Sequence, residues 1–183
     1  PAGCRWRPGD ESRDDRRPRG VIVGAGFGGL ACARALDGKE VNVSLIDRHN
    51  YHLFTPLLYQ VGTGLLNPSD IAYPLRRVFR HSRNVRVRHA TIREADLSAK
   101  VVRTADGQTI PYDFLVLATG RVDNYFVNER RAEVSLGLTS LDDATAMRTL
   151  VLTCPEQHDG ATAAHTPHPL PPYVLPARDL TGP

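Results

Sequence analysis

From residue 20 to residue 152 the apolar and polar positions recur with the periods of strands and helices. Gly20-Val21-Ile22-Val23 is a short continuous apolar run, as in a strand covered on both faces. Gly24-Ala25-Gly26-Phe27-Gly28-Gly29 follows at once, and a helix is predicted through Leu30 to Leu36. Val41-Asn42-Val43-Ser44-Leu45-Ile46 alternates as a second strand and closes on Asp47, 18 residues after Gly29. Val85-Arg86-Val87-Arg88-His89-Ala90 reads as another strand. Lys100 to Thr104 and Gln108 to Ile110 flank an Asp106-Gly107 turn, the mark of a hairpin. Tyr112 to Leu117 reads as a buried strand that ends in the small-residue turn Ala118-Thr119-Gly120. Ser140-Leu141-Asp142-Asp143 has the form of a capping box with Asp in place of Glu. Leu141, Ala144, Met147, Leu150 and Val151 then mark one face of a helix.

The flanks break this pattern. Residues 1–19 are rich in Arg and acid, interrupted by Pro and almost free of apolar side chains, so disorder is expected and a secretory signal is not. Residues 153–183 begin a second shift. From Pro155 onward lie half of the 14 prolines, with His and Thr between them and no strand or helix period. This tail is expected to be disordered, through a shifted reading frame or as a proline-rich linker. The predicted organisation is thus 1–19, 20–152 and 153–183.

Composition narrows the function classes. The 183 residues are 41% hydrophobic and 23% charged, enough for one domain or a little more. No apolar run reaches the roughly 18 residues of a membrane-spanning helix. Cys4, Cys32 and Cys154 lie far apart and give neither a disulfide framework nor a zinc spacing, which suits a reducing compartment. The net charge of +3 comes from scattered arginines, with Lys39 and Lys100 the two lysines, and does not point to nucleic acid.

The candidate chemistry sits in the first strand–turn–helix–strand. Gly24 permits a tight turn, Gly26 lets backbone approach a pyrophosphate, and Gly29 lets the helix pack close to the strands. The helix N-terminus offers N–H groups and partial positive charge. Its dipole contributes about 0.3–1 kcal/mol, so hydrogen bonds must carry much of the binding. Asp47 is placed to accept hydrogen bonds from a ribose 2′-OH and to repel a 2′-phosphate. Arg48 beside it could soften that repulsion or be a solvated surface arginine. The alternative to a dinucleotide site is a glycine-rich turn of some other α/β protein. Cys32, among Ala31, Ala33 and Ala35, reads as small-residue packing against the sheet. His49 and His52 flank Tyr51 like metal ligands, but no third ligand is placed and local hydrogen bonding explains them. Ile71, Leu75, Val78 and Phe79 stand at helical spacing with Arg76, Arg77 and Arg80 on other faces. Those arginines are either a stripe facing a membrane or quinone, or a solvated face near a helix C-terminus.

An antiparallel excursion followed by return to a parallel sheet at Ala118-Thr119-Gly120 resembles the FAD domain of flavoproteins with two dinucleotide domains. The stretch Asp47-Arg48-His49-Asn50-Tyr51-His52-Leu53-Phe54-Thr55-Pro56-Leu57-Leu58-Tyr59-Gln60-Val61-Gly62-Thr63-Gly64 closely resembles type II NADH dehydrogenases, the single-subunit NADH:quinone oxidoreductases. The likeness continues through Asn67 to Arg76, Leu115 to Gly120, Asn124-Tyr125-Phe126 and Gly137 to Ala144, and covers about residues 20–152. It implies an α/β fold: a Rossmann-like FAD-binding domain, a parallel sheet with an antiparallel β excursion, from a truncated two-dinucleotide-domain flavoprotein.

Position by position, the resemblance implies that Gly24, Gly26, Phe27, Gly28 and Gly29 hold the FAD pyrophosphate. Asp47, with Arg48 adjacent, would hold the adenosine ribose, and the backbone near Ile92 the adenine. Thr55 and Pro56 would lie near the flavin ring, and Ala118, Thr119 and Gly120 would close over the cofactor. No side chain here is implied as a catalytic acid or base, and no metal. The implied activity is non-proton-pumping: hydride passes from NADH to FAD and electrons go on to a membrane quinone of the respiratory chain. The complete enzyme would sit peripherally on the cytoplasmic or matrix face of a membrane, and a homodimer is admitted.

No second GxGxxG follows Cys154, so the chain reads as the front part of such an enzyme, inactive by itself. Two other readings stand beside it. One is a non-catalytic dinucleotide-binding fragment or pseudoenzyme. The other is a different flavoprotein, such as a disulfide reductase or sulfide:quinone reductase, against which the absent CxxxxC counts.

Overall fold

The computed structural model describes residues 16–121 and 137–159. Most of the Arg- and acid-rich start, the Asn124-Tyr125-Phe126 stretch and the tail from residue 160 lie outside the described residues. The chain divides into two compact units, one of residues 1–52 and 74–120 and the other of residues 53–73 and 121–183.

The first unit is built on a parallel sheet of β1 (Arg19–Val23), β2 (Asn42–Asp47), β5 (Val85–His89) and β9 (Phe114–Leu117), in the order β5-β2-β1-β9. Strand β1 lies between β2 and β9, parallel to both, with Val21 opposite Ser44 and Leu115. Its unbroken apolar run is explained by burial on both faces. Ile22 packs with Leu30, Ala33, Leu45, Leu75 and Phe79 on one side, while Val21 and Val23 pack with Ile46, Val102, Ile110 and Tyr112 on the other. Helix α1 (Phe27–Leu36) covers the first face. Three antiparallel strands, β6 (Ile92–Asp96), β7 (Val101–Thr104) and β8 (Thr109–Pro111), cover the second. The predicted hairpin is present, with Gly107 at φ +84° in its turn.

Buried Asn84 locks the exit from α1. Its Nδ2 donates to the carbonyls of Leu36, Lys39 and Val41, and its Oδ1 accepts from Gly38 N–H at 2.8 Å. One side chain therefore satisfies the polar backbone between α1 and β2.

In the second unit, a 3-10 turn (Thr55–Leu57) leads into α2 (Leu58–Gly62), followed by α3 (Pro68–Ile71). The long helix α5 (Leu141–Asp159) packs Ala144 and Leu141 with Leu58, Val61 and Ile71. Gly62 faces this helix closely: a Cβ there would stand 2.9 Å from Met147 Sδ, a contact that a shift of the flexible methionine side chain would relieve. The capping box is reciprocal: Asp143 N–H donates to Ser140 Oγ at 3.1 Å and Ser140 N–H to Asp143 Oδ2 at 2.8 Å. The chain passes between the units through two short strands, β3 (Tyr51–Leu53) and β4 (Ala72–Pro74).

Five expectations are corrected. Strand β9 is not buried: Phe114 is 65% and Leu117 61% exposed, because β9 is the sheet's last described strand and pairs with β1 alone. The Ile71–Phe79 stripe is not one helix. It is split by β4 before a separate α4 (Leu75–Val78), and Pro74 disfavours helical backbone at Tyr73. In α1 the sheet-facing small residues are Ala33 and Cys32, whereas Ala31 and Ala35 are exposed. In α5 the apolar face is covered only at Leu141, Ala144 and Met147, with Leu150 and Val151 exposed. The α5 backbone also stays helical to Asp159, past residue 153, although Pro155 has no N–H to donate to the preceding turn.

Candidate functional site

The glycine turn joins the end of β1 to α1 at the carboxyl edge of the parallel sheet. Gly24 has φ +100°, a conformation that side chains rarely adopt, and its N–H donates to Ile46 O at 2.7 Å. A Cβ there would collide with the carbonyl of Ala118, which sits over β1 through its N–H to Val23 O at 2.8 Å. A Cβ on Gly29 would collide with the carbonyl of Gly24. These two glycines therefore let three backbone segments meet: the turn, the start of α1 and the Ala118-Thr119 turn.

Gly26 and Gly28 behave differently. A Cβ on either meets nothing within 4 Å, and both residues are exposed. They face outward from the N-terminus of α1, where no side chain caps the helix and its first turn holds no acid. The first intrahelical bond is Leu30 N–H to Gly26 O at 2.9 Å, so the amides before Leu30 lie at a helix end carrying about half a positive charge.

Asp47 ends β2 beside this turn. Its Oδ2 accepts from Ala25 N–H at 2.6 Å and its Oδ1 from His49 N–H at 2.7 Å. A carboxylate has about four acceptor sites, so two backbone donors leave capacity for sugar hydroxyls. Arg48 is exposed, and its carbonyl lies 2.8 Å from His89 Nε2. His52 supports the turn from below: its Nδ1 lies 3.0 Å from Ala25 O, and its ring meets Phe27 edge-on at 5.0 Å. His49 contacts Tyr51 at 5.2 Å. The two histidines thus serve different neighbours: the His52 ring reaches Ala25 across 27 residues, and the His49 ring meets Tyr51.

The family model described as pyridine nucleotide-disulphide oxidoreductase matches residues 18–153. The chain belongs to that family. Within the pyridine nucleotide-disulphide oxidoreductases, it is 44% identical over 145 residues to the type II NADH:quinone oxidoreductase Ndh of Mycobacterium tuberculosis. That match takes in 78% of this chain and 31% of the relative, so the chain spans about a third of the length of the curated relative. NDH2 of Plasmodium falciparum has the same fold, with a TM-score of 0.73 over 81% of this chain and 31% of that one, at 22% identity. The sulfide:quinone oxidoreductase of Aquifex aeolicus matches with a TM-score of 0.68 at 27% identity, over 76% of this chain and 32% of its own.

The structure brings Gly24, Gly26, Phe27, Gly28, Gly29, Asp47, Ala118 and Thr119 to one edge of the first unit. Gly120, at φ +75°, follows them. Ile92 opens β6, half-buried against Val23 and its neighbours. Thr55 and Pro56 open the 3-10 turn of the second unit and are exposed. His52 was not readable as a support of the glycine turn, since nothing in the spacing of a loop histidine names its partner 27 residues away. No described helix is long and apolar enough to cross a membrane.

Proposed function

We propose that the chain is the N-terminal FAD-binding portion of a flavin-dependent NADH:quinone oxidoreductase, acting at a membrane surface in its complete form. The observation that carries this reading is the pair of glycine classes in one turn. Gly24 and Gly29 admit no Cβ because backbone fills the space, whereas Gly26 and Gly28 keep an open approach to the N-terminus of α1. That open approach suits a pyrophosphate, and Asp47 beside it suits a ribose. The 44% identity to a type II NADH:quinone oxidoreductase supports the choice of enzyme class.

The residues present fit FAD in the following roles. Gly26, Phe27, Gly28 and Gly29 supply the helix-end amides for the phosphates, and Asp47 orients the sugar by accepting its hydroxyls. Arg48 stays at the surface beside it. Ala118, Thr119 and Gly120 flank the phosphates from the neighbouring turn, and backbone near Ile92 borders the adenine. When bound, the flavin supplies acceptance of a hydride from NADH and passage of electrons to a quinone. The protein's part is binding and exclusion of other geometries, with no acid or base contributed from these residues.

The 183 residues alone are proposed to bind FAD without turning over NADH. The test is an anaerobic titration of the FAD-loaded chain with NADH, followed by a steady-state assay with a short-chain quinone. Bound FAD with no sustained NADH oxidation is expected. Robust NADH:quinone turnover by this chain would overturn that part of the reading.

A further inference from the structure

Ala25 stands between Gly24 and Gly26 almost fully buried, and side chains from elsewhere in the first unit hold both of its backbone polar groups. Its N–H donates to Asp47 Oδ2 at 2.6 Å. Its carbonyl oxygen lies 3.0 Å from Nδ1 of His52. A carbonyl only accepts, so the proton of that bond sits on Nδ1 and the imidazole is the donor.

The direction of this carbonyl decides where the next amide points. No described peptide bond is cis, and in a trans peptide the C=O and N–H lie on opposite sides of one plane. With Ala25 O turned to His52, the N–H of Gly26 points away from His52. Gly26 immediately precedes α1 and is exposed, and in the FAD reading its amide serves the phosphates. The plane is free to turn over, because Gly26 has no Cβ and accepts φ of either sign. An inverted peptide would offer a phosphate a carbonyl oxygen in place of an N–H, exchanging attraction for repulsion. Asp47 does not prevent this, since its carboxylate holds the preceding peptide, between Gly24 and Ala25.

The imidazole is itself held. His49 N–H donates to Asp47 Oδ1 at 2.7 Å, and Leu75 N–H donates to Asn50 O at 3.0 Å. Leu75 is fully buried in the cluster of Ile22 and Leu30, so the chain arrives at His52 tied to the core. The His52 ring also meets Phe27 edge-on at 5.0 Å. Donor and ring are therefore two separable contributions of one side chain.

We propose that His52 is a positioning residue of the dinucleotide site. Its Nδ1–H locks the Ala25–Gly26 peptide so that the Gly26 N–H, on the side away from His52, is available to the cofactor's phosphates. The proposal rests on the FAD reading and extends it to a residue outside the glycine turn. His52 acts through Ala25 and need not touch the cofactor.

Two variants split the two contributions. His52→Asn keeps an N–H donor near the place of Nδ1 and loses the ring, whereas His52→Phe keeps a ring against Phe27 and loses the donor. FAD affinity is read by flavin-fluorescence titration of the 183-residue chain, with the apo melting midpoint of each variant alongside. His52→Phe should weaken FAD about tenfold or more, and His52→Asn should stay within about threefold of wild type. The reverse order, or equal affinity in all three chains, would overturn the role of His52 and leave the FAD reading standing. A wild-type chain that binds no FAD would overturn both. If His52→Phe melts early, the wild type carries the test through its imidazole nitrogen NMR resonances, assigned by their loss in His52→Asn. Protonated Nδ1 is expected there, and a ring protonated on Nε2 alone would overturn the proposal.

Discussion

Two alanine substitutions in the first turn of α1 separate packing from helix propensity. Gly28 and Gly29 are neighbours in one helix, so alanine brings each a similar propensity gain of about 0.5–1 kcal/mol. For Gly28→Ala nothing opposes that gain, because the new Cβ meets no atom within 4 Å. For Gly29→Ala the Cβ meets the carbonyl oxygen of Gly24, far inside the 3.0 Å limit of real Cβ contacts. The opposing atom is backbone, in a residue at φ +100° that is itself bounded by the Ala118 peptide, so it has no rotamer by which to yield. Overpacking costs about 1–3 kcal/mol and more against rigid neighbours, so the upper end applies. Subtracting the propensity gain leaves a net loss of about 2 kcal/mol. For a chain of this size the midpoint should fall by about 4–8 °C in Gly29→Ala and rise by about 1–4 °C in Gly28→Ala. Thermal melts followed by circular dichroism without FAD read both directly. Equal shifts in the two variants would refute the assignment of Gly29 as the packing glycine.

Asp47→Asn leaves one oxygen to accept from both Ala25 and His49, so FAD affinity should fall about tenfold or more by flavin-fluorescence titration. Asp143 is held below its ordinary 3.8, chiefly by the Ser140 hydroxyl, against burial, with the Ser140 and Thr139 N–H groups adding to the effect. Its folded value is depressed, so this stabilisation is present above pH 3.8 and is lost as pH falls through the lower folded value. Ser140→Ala should cost about 1 kcal/mol at pH 7 and flatten that acid limb, which urea titrations across pH 2–5 would show. Asn84→Leu strips partners from Gly38 N–H and three carbonyls, and should lower stability by about 2–3 kcal/mol in chemical denaturation.

The central βαβ unit was legible because its signals are local. The Gly20 to Val23 run, the glycine turn and the Val41 to Asp47 alternation each depend on near neighbours, and all three became the expected elements. The hairpin at Asp106-Gly107 was legible for the same reason, since only glycine takes φ +84° freely. What depended on distant partners was not. The run Phe114-Leu115-Val116-Leu117 reads as doubly covered, yet burial of a strand is decided by its neighbours in the sheet, and β9 has one among the described residues. Ile71 and Leu75 share helical spacing but pack in different clusters, one in each unit, because the backbone extends at β4. Of the site, the glycines and Asp47 followed from spacing, whereas His52 and Asn84 act through contacts 27 and more than 40 residues away that no local pattern encodes.

The most direct measurement is the visible spectrum of the purified chain after incubation with FAD and removal of excess, with the flavin identified after denaturation. Flavin bands at close to one FAD per chain, lost when Gly26→Val fills the open approach to α1 without lowering the apo melting midpoint, is the expected result. A folded chain that stays colourless, or one whose flavin is indifferent to Gly26→Val, would contradict a FAD site at this glycine turn.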